Sequence, residues 1–146
     1  MSVELSDEAR RLLEQARVAR LATVDAAGRP HLVPIVFALK ASRLFVPIDH
    51  KPKKNRDPNA LRRVRNLREN PRASILVDHY EEDWRRLAWV RVDGSVELVS
   101  DGPAYSEGIR ALTDRYPQYT EDPLPPAPDG LLIVLEMETI RTWRAG

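Results

Sequence analysis

The 146-residue sequence contains no cysteine. That absence excludes a disulfide framework, a thiolate metal site and a cysteine nucleophile, and it fits a reducing cytoplasm. The chain also lacks any run of about 18 apolar residues, so no membrane-crossing helix is expected. Its first residues, MSVELSDEARRLLEQAR, are charged throughout and carry no apolar h-region of a secretory signal. A soluble, cytoplasmic protein with no membrane partner is therefore expected. Net charge is scarce as well: the formal value is +1, which argues against a general polyanion binder, because such proteins show basic excess over the whole domain. The three histidines, His31, His50 and His79, have no carboxylate at a metal-ligand or triad spacing, and Ser74 sits in an apolar run without a GxSxG elbow. No P-loop or GxGxxG is present. Hydrolytic, metal-dependent and side-chain acid–base chemistry all lack a motif, and no residue is assigned a catalytic or metal-ligating role. If the chain is an enzyme, the reactive atoms belong to a bound organic cofactor that the protein positions and shields.

What the sequence does have is charge segregated along its length. From Lys51 to Arg68 there are eight Lys or Arg residues against one acid, Asp57. Residues 101 to 129 run the other way, with Asp101, Glu107, Asp114, Glu121, Asp122 and Asp129 against Arg110 and Arg115. Three uses of the basic run compete: a solvated surface, nucleic acid, or a phosphate or carboxylate ligand. Nucleic acid is disfavoured because no aromatic residue lies between Phe45 and Tyr80, whereas single-strand platforms pair charge with stacking rings.

The length suits one domain, residues 1–146. Ser6 followed by Asp7 and Glu8, with Leu5, Leu12, Leu13 and Ala16 apolar, predicts a capped amphipathic helix at about 6–17. Runs at 18–24 and 31–39 flank Asp25-Ala-Ala-Gly28 and predict a hairpin with a positive φ at the glycine. RLFVPI, 43–48, is a third strand. Asp57-Pro58 predicts a helix start, with Asn70-Pro71 as its stop. ASILV, 73–77, is expected to be a strand buried on both faces. LAWVRVDGSVELV is one long strand or a hairpin bent at Asp93-Gly94. A helix from Pro103 to about Tyr116, a proline-rich loop and a final strand, LLIVLEMETIRTW, complete the chain. Too few helices alternate with strands for a parallel sheet, and roughly six strands with short turns predict a mainly β fold, an antiparallel barrel or sandwich with peripheral helices.

Helical spacing sharpens the anion option. Arg63 and Asn66 are separated by three residues and share a helix face. A guanidinium suits phosphate and carboxylate oxygens, and Lys51 and Lys53 in the preceding loop supply mobile charges that converge with Arg63 on one anionic group. Arg62, Arg65 and Arg68 are expected to face solvent or to pair with neighbours.

At this point the residues carry a resemblance. VARLATVDAAGRPHLVPIVFAL, the DHKPK turn, NLRENPRASILVDHYEEDWRRLAWVRVDG, RYPQY and the Trp-containing last strand are together similar, in order and spacing, to the pyridoxamine 5'-phosphate oxidase-like, FMN-binding split-barrel superfamily. More narrowly they resemble its coenzyme F420-dependent oxidoreductase branch. The resemblance implies a six-stranded antiparallel split β-barrel and a homodimer with cofactor sites at the interface. It implies a tricyclic ring lying against Val33, Pro34, Ile35 and Val36 and beside Ile48 and Asp49. The phosphate would be held by Arg63, where relatives often carry lysine, within the motif that contains Asn66. Trp89 and Trp84 would wall the pocket or stack at the subunit seam, with core packing the alternative for Trp89. The activity implied is hydride transfer from reduced coenzyme F420 to an unsaturated small molecule. An FMN-dependent enzyme of the same fold and a non-catalytic coenzyme F420 carrier are the alternatives. The density of cations from Lys51 to Arg63, with Lys54 and Arg56, suits the long polyanionic tail of coenzyme F420 better than the single phosphate of FMN.

Overall fold

Alternation decides the architecture, and the first strand shows how. The computed structural model describes residues 4–48 and 57–146. In β1 (Ala19–Val24), Ala19, Leu21 and Thr23 point inward and are buried, while Arg20, Ala22 and Val24 take the other face. The same period runs through β5 (Arg72–His79), where Ala73, Ile75 and Val77 are buried and Ser74 and Leu76 are only partly covered. The expectation that this run is buried on both faces is thus corrected: Leu76 lies on the outer face of the sheet.

The strands described number seven, in the spatial order β2–β1–β5–β6–β7–β4–β3, and every pairing is antiparallel. β2 (Pro30–Ile35) and β3 (Ala38–Lys40) stand at opposite ends of that order, yet only Val36 and Phe37 separate them in the chain. Two residues reach only about 7 Å further than a direct bond, so the sheet is rolled until its two ends meet. The result is an antiparallel barrel split at Val36-Phe37. The extra strand relative to expectation arises here, because residues 31–39 do not continue as one strand. Phe37 is fully buried, and its backbone is claimed by Tyr116: the Phe37 N–H donates to the Tyr116 hydroxyl at 3.2 Å, outside the strand ladder.

The hydroxyl of Tyr116 also lies within bonding distance of the Phe37 and Arg17 carbonyls, at 3.0 and 2.9 Å, and gives its proton to one of them at a time. Arg115 completes the lock. Its guanidinium sits 4.8 Å from the Phe37 ring centre and donates to the carbonyls of Leu13 and Ala16. Those carbonyls end α1 (Asp7–Gln15), a helix with no basic residue in its own last turn and with Ser6 capping its start through the Ala9 N–H at 3.1 Å. Tyr116→Phe leaves the buried Phe37 N–H without that acceptor. It is expected to lower stability by roughly 1–3 kcal/mol, measured as a shift in urea midpoint at unchanged m-value.

Chain order fixes the remaining elements. β4 (Arg43–Pro47) turns Leu44 and Val46 to the barrel interior and Phe45 to the other side. There α3 (Gly102–Arg115) lies across β4 and β7 (Leu132–Arg144), with Tyr105 and Leu112 in one apolar cluster with Phe45 and Val134. Gly108 allows the close approach, since a Cβ there would meet the side chains of Phe45 and Leu132. Each large side chain so buried stabilises by about 1.5–3 kcal/mol. The short α4 (Gln118–Glu121), absent from the sequence reading, follows before the proline-rich loop.

Asp57 does not open an α-helix. It accepts from Asn59 N–H at 2.9 Å and caps a single 3-10 turn, Pro58–Ala60. Leu61 then takes an extended backbone and packs its side chain on the core, so α2 starts anew and spans Arg62–Glu69. β6 (Ala88–Val99) is one strand, with a β-bulge at Asp93/Gly94 against β7.

Candidate functional site

Ile35 at the end of β2, Ile48 just after β4, and Val64 and Leu67 on the inner face of α2 all belong to the main buried core. Val33 and Val36 are half-buried, Pro34 is exposed and Ile35 is buried. β2 ends the sheet, so among the described residues only one of its edges is paired. The free edge offers backbone polar groups, except at Pro34, which has no N–H. Ile48 is buried and its N–H donates to the Leu131 carbonyl at 3.1 Å. Asp49, Lys51 and Lys53, with Lys54 and Arg56, lie outside the described residues.

On α2, Arg63 is half-buried. Asn66 is 3% exposed, and its Nδ2 donates to Thr23 Oγ1 at 3.0 Å. That buried bond ties α2 to β1 and fixes the helix face that carries Arg63. Among the described residues no side chain caps α2 and no acid sits in its first turn, so its N-terminal end favours an anion.

Trp89 is placed elsewhere. It is half-buried on the outer face of β6, beside Asp78 of β5 and opposite Trp143 of β7. It contributes to a largely apolar cleft of about 510 Å³ that Leu32, Ala22, Leu76, Ser74, Asp78, Arg20 and Arg91 also line. Leu32 is 65% exposed and Trp143 45%. Trp84 is also exposed, its indole N–H donating to the Tyr80 hydroxyl at 3.3 Å.

Two groupings were not foreseen from the sequence. At the bulge, Asp93 accepts from Ser74 at 2.5 Å, Thr139 at 3.2 Å and Arg91 at 3.3 Å, joining three strands on the outer face. Partial burial alone would raise its pKa, but the Ser74, Arg91 and Thr139 donors outweigh burial and hold it below the ordinary value. In the β1–β2 turn, Gly28 takes the expected positive φ of 82°. Asp25 there accepts from the Arg29 N–H at 2.9 Å, the Ala27 N–H at 2.9 Å and Arg29 Nε at 2.8 Å, and Arg62 of α2 lies 3.7 Å away. No local pattern announces these groups, because the members come from segments far apart in sequence.

The Arg29 backbone N–H first, then its guanidinium, lower the Asp25 carboxyl from 3.8 to about 2. A depressed carboxylate stabilises the fold above its unfolded pKa, and that contribution disappears as pH falls from about 4 to about 2. Asp25→Asn is expected to lower stability at pH 7 and to flatten the decline across that window. Urea melts at several pH values check both signs.

Of the two described histidines, His79 places Nε2 2.5 Å from Glu81, and His31 is half-buried in β2. Among the described residues no group of His, Cys, Asp or Glu is arranged to hold a metal ion, and no helix is long and apolar enough to cross a membrane.

Comparison with known proteins bears on this geometry. The fold is similar to that of a heme-binding protein from Mycobacterium smegmatis, with a TM-score of 0.76 and 22% identity over 98% of this chain. This chain spans only 56% of that protein. It is also similar to HutZ, the heme storage protein of Vibrio cholerae, with a TM-score of 0.73 and 24% identity over 99% of this chain and 96% of that one. A FAD-binding protein from Mesorhizobium loti gives a TM-score of 0.70 and 24% identity over 97% and 96% of the two chains. No curated protein matches the sequence. The split barrel is therefore shared with proteins of differing ligands, and identities this low establish the fold alone. The sequence itself matches the model of one family, pyridoxamine 5'-phosphate oxidase, over residues 5–144, and the chain belongs to that family.

Proposed function

We propose that the protein is an oxidoreductase that binds reduced coenzyme F420 and reduces an unsaturated small molecule. One observation carries the reading: half-buried Arg63 sits on a helix that a buried Asn66–Thr23 bond locks to the barrel, with neither a side-chain cap nor an acid in its first turn among the described residues. A flat ring with polar edges fits the unpaired edge of β2, where the backbone from Val33 to Val36 offers donors and acceptors and Ile35 and Ile48 exclude water behind it. Arg63 takes the phosphate as a planar donor pair. Asn66 acts through α2, as a positioning residue. Asp49, Lys51 and Lys53, which follow Ile48 in sequence, are assigned polar and cationic contacts to the same cofactor.

When bound, reduced coenzyme F420 supplies the hydride. The chain's own contribution is to bind, orient and shield, and no side chain is required as nucleophile. A second copy of the chain covers the outer face at Leu32, Trp89 and Trp143, burying its apolar cleft and closing the cofactor sites at the interface. This dimer is part of the proposal.

Parallel titrations test it. Coenzyme F420 is followed by its fluorescence, FMN by flavin fluorescence and hemin by absorbance. The expected result is a dissociation constant for coenzyme F420 on the order of micromolar, with FMN about tenfold weaker or worse and no saturable hemin binding. FMN binding as tightly as coenzyme F420 replaces the reading with a flavin enzyme, and hemin binding alone replaces it with a tetrapyrrole protein. Turnover with a panel of enones and quinones then separates an enzyme from a carrier.

A further inference from the structure

A second cation-lined cleft lies beside α2. Arg62, Arg65 and Glu69 form a stripe along the helix that faces the β1–β2 turn, and together they enclose a space of about 540 Å³. That volume is within the usual range for small-ligand sites, about 300–1,000 Å³. Three guanidinium groups, of Arg29, Arg62 and Arg65, meet two carboxylates there, Asp25 and Glu69. Both acids are already engaged: Asp25 by the turn's N–H groups and Arg29, and Glu69 by the Ala26 N–H at 3.1 Å. Arg62 is only loosely held, at 3.7 Å from Asp25, and the Arg65 side chain has no hydrogen bond or ion pair among the described residues. The cleft thus retains unspent positive charge in a concave setting with a braced floor.

We infer that this cleft is a carboxylate-binding subsite, in which Arg62 and Arg65 take the carboxylates of the coenzyme's γ-linked oligoglutamyl tail. The inference rests on the cofactor reading above. Arg62 and Arg63 are adjacent in sequence but about 100° apart around the helix. An anionic chain whose phosphate sits at Arg63 therefore reaches Arg62 by crossing the first turn of α2, where neither a side-chain cap nor an acid opposes it among the described residues. Arg65 then lies one turn further along the same stripe.

The test uses the full chain at low ionic strength, where exposed charges are least screened. Tri-γ-glutamate is titrated into labelled protein and backbone amide shifts are followed. Saturable shifts at Ala26, Ala27 and Arg65 are expected, lost in an Arg62→Ala/Arg65→Ala double variant and retained in Arg63→Ala. Glu69→Gln keeps an acceptor for the Ala26 N–H but removes a negative charge, and should tighten the peptide about twofold. In a separate arm, long-tailed coenzyme F420 is expected to bind about fivefold more tightly than a short-tailed form, and the double variant should erase only that difference. Absent shifts, shifts that survive in the double variant, or an equal loss for both tail lengths overturn the subsite. If the peptide shifts these amides while no form of the coenzyme binds, the subsite stands and the cofactor reading falls. If the coenzyme binds irrespective of tail length, the reverse holds.

Discussion

Arg63→Ala is expected to weaken coenzyme F420 by at least about tenfold without loss of fold. A charge-assisted hydrogen bond contributes on the order of 1.5–3 kcal/mol, and each 1.4 kcal/mol is a factor of ten. The half-buried position of Arg63 favours the upper part of that range, because water screens it less than it screens Arg62 or Arg65. Arg63→Lys restores charge but not the planar fork and should recover only part of the loss. The decisive comparison uses the deazaflavin riboside, which lacks the phosphate. It should bind wild type and Arg63→Ala equally. An equal loss for both ligands would show that the substitution disturbs α2, and the phosphate role of Arg63 would be withdrawn. Asn66→Ala separates the two effects from the other direction. It removes the bond to Thr23 and should lower stability together with affinity for the phosphorylated coenzyme, because the helix face that presents Arg63 is no longer fixed.

Features encoded within a few residues were legible in the sequence. Ser6 caps α1, and Gly28 turns the first hairpin with positive φ. The three-residue spacing of Arg63 and Asn66 likewise identified one helix face. Features that depend on distant partners were not legible. The break at Val36-Phe37 exists because Tyr116, 79 residues later, occupies the Phe37 backbone. The RYPQY segment was noticed as a family trait, and its physical role is this lock. Leu61 interrupts the helix expected from Asp57 because its side chain packs on the barrel core, a tertiary demand that overrides the local start signal. The β1–β2 turn read simply as a hairpin tip, since nothing in DAAGR shows that α2 brings Arg62, Arg65 and Glu69 against it. Leu76 looked like core because an apolar run says nothing about which side of the sheet is covered.

The bulge in β6 gives the largest expected effect on stability. Between Asp93 and Gly94 the register with β7 shifts, from Asp93↔Thr139 to Gly94↔Met137, so Glu138 has no counterpart. Gly94 is buried there, and a Cβ on it would drive into the backbone carbonyl of Glu136 and meet Leu135 Cδ2 at 3.0 Å. A backbone oxygen in the longest strand pair cannot move aside as a flexible side chain does. Gly94→Ala is therefore expected to cost about 3 kcal/mol or more, which for a domain of this size lowers the melting temperature by roughly 10 °C. Gly28→Ala is the control: its φ is 82° but nothing lies within 4 Å of the added carbon, so only backbone strain of about 1 kcal/mol applies. If the two variants lose equal stability, steric exclusion at the bulge is not what fixes the glycine. The consequence extends to function through Asp93, the neighbouring residue, which gathers Ser74, Arg91 and Thr139 on the outer face. A bulge displaced by Gly94→Ala would re-aim that carboxylate next to the apolar cleft. The variant should therefore weaken the self-association proposed above, read by sedimentation, even at temperatures where it remains folded, whereas Gly28→Ala should leave that association unchanged.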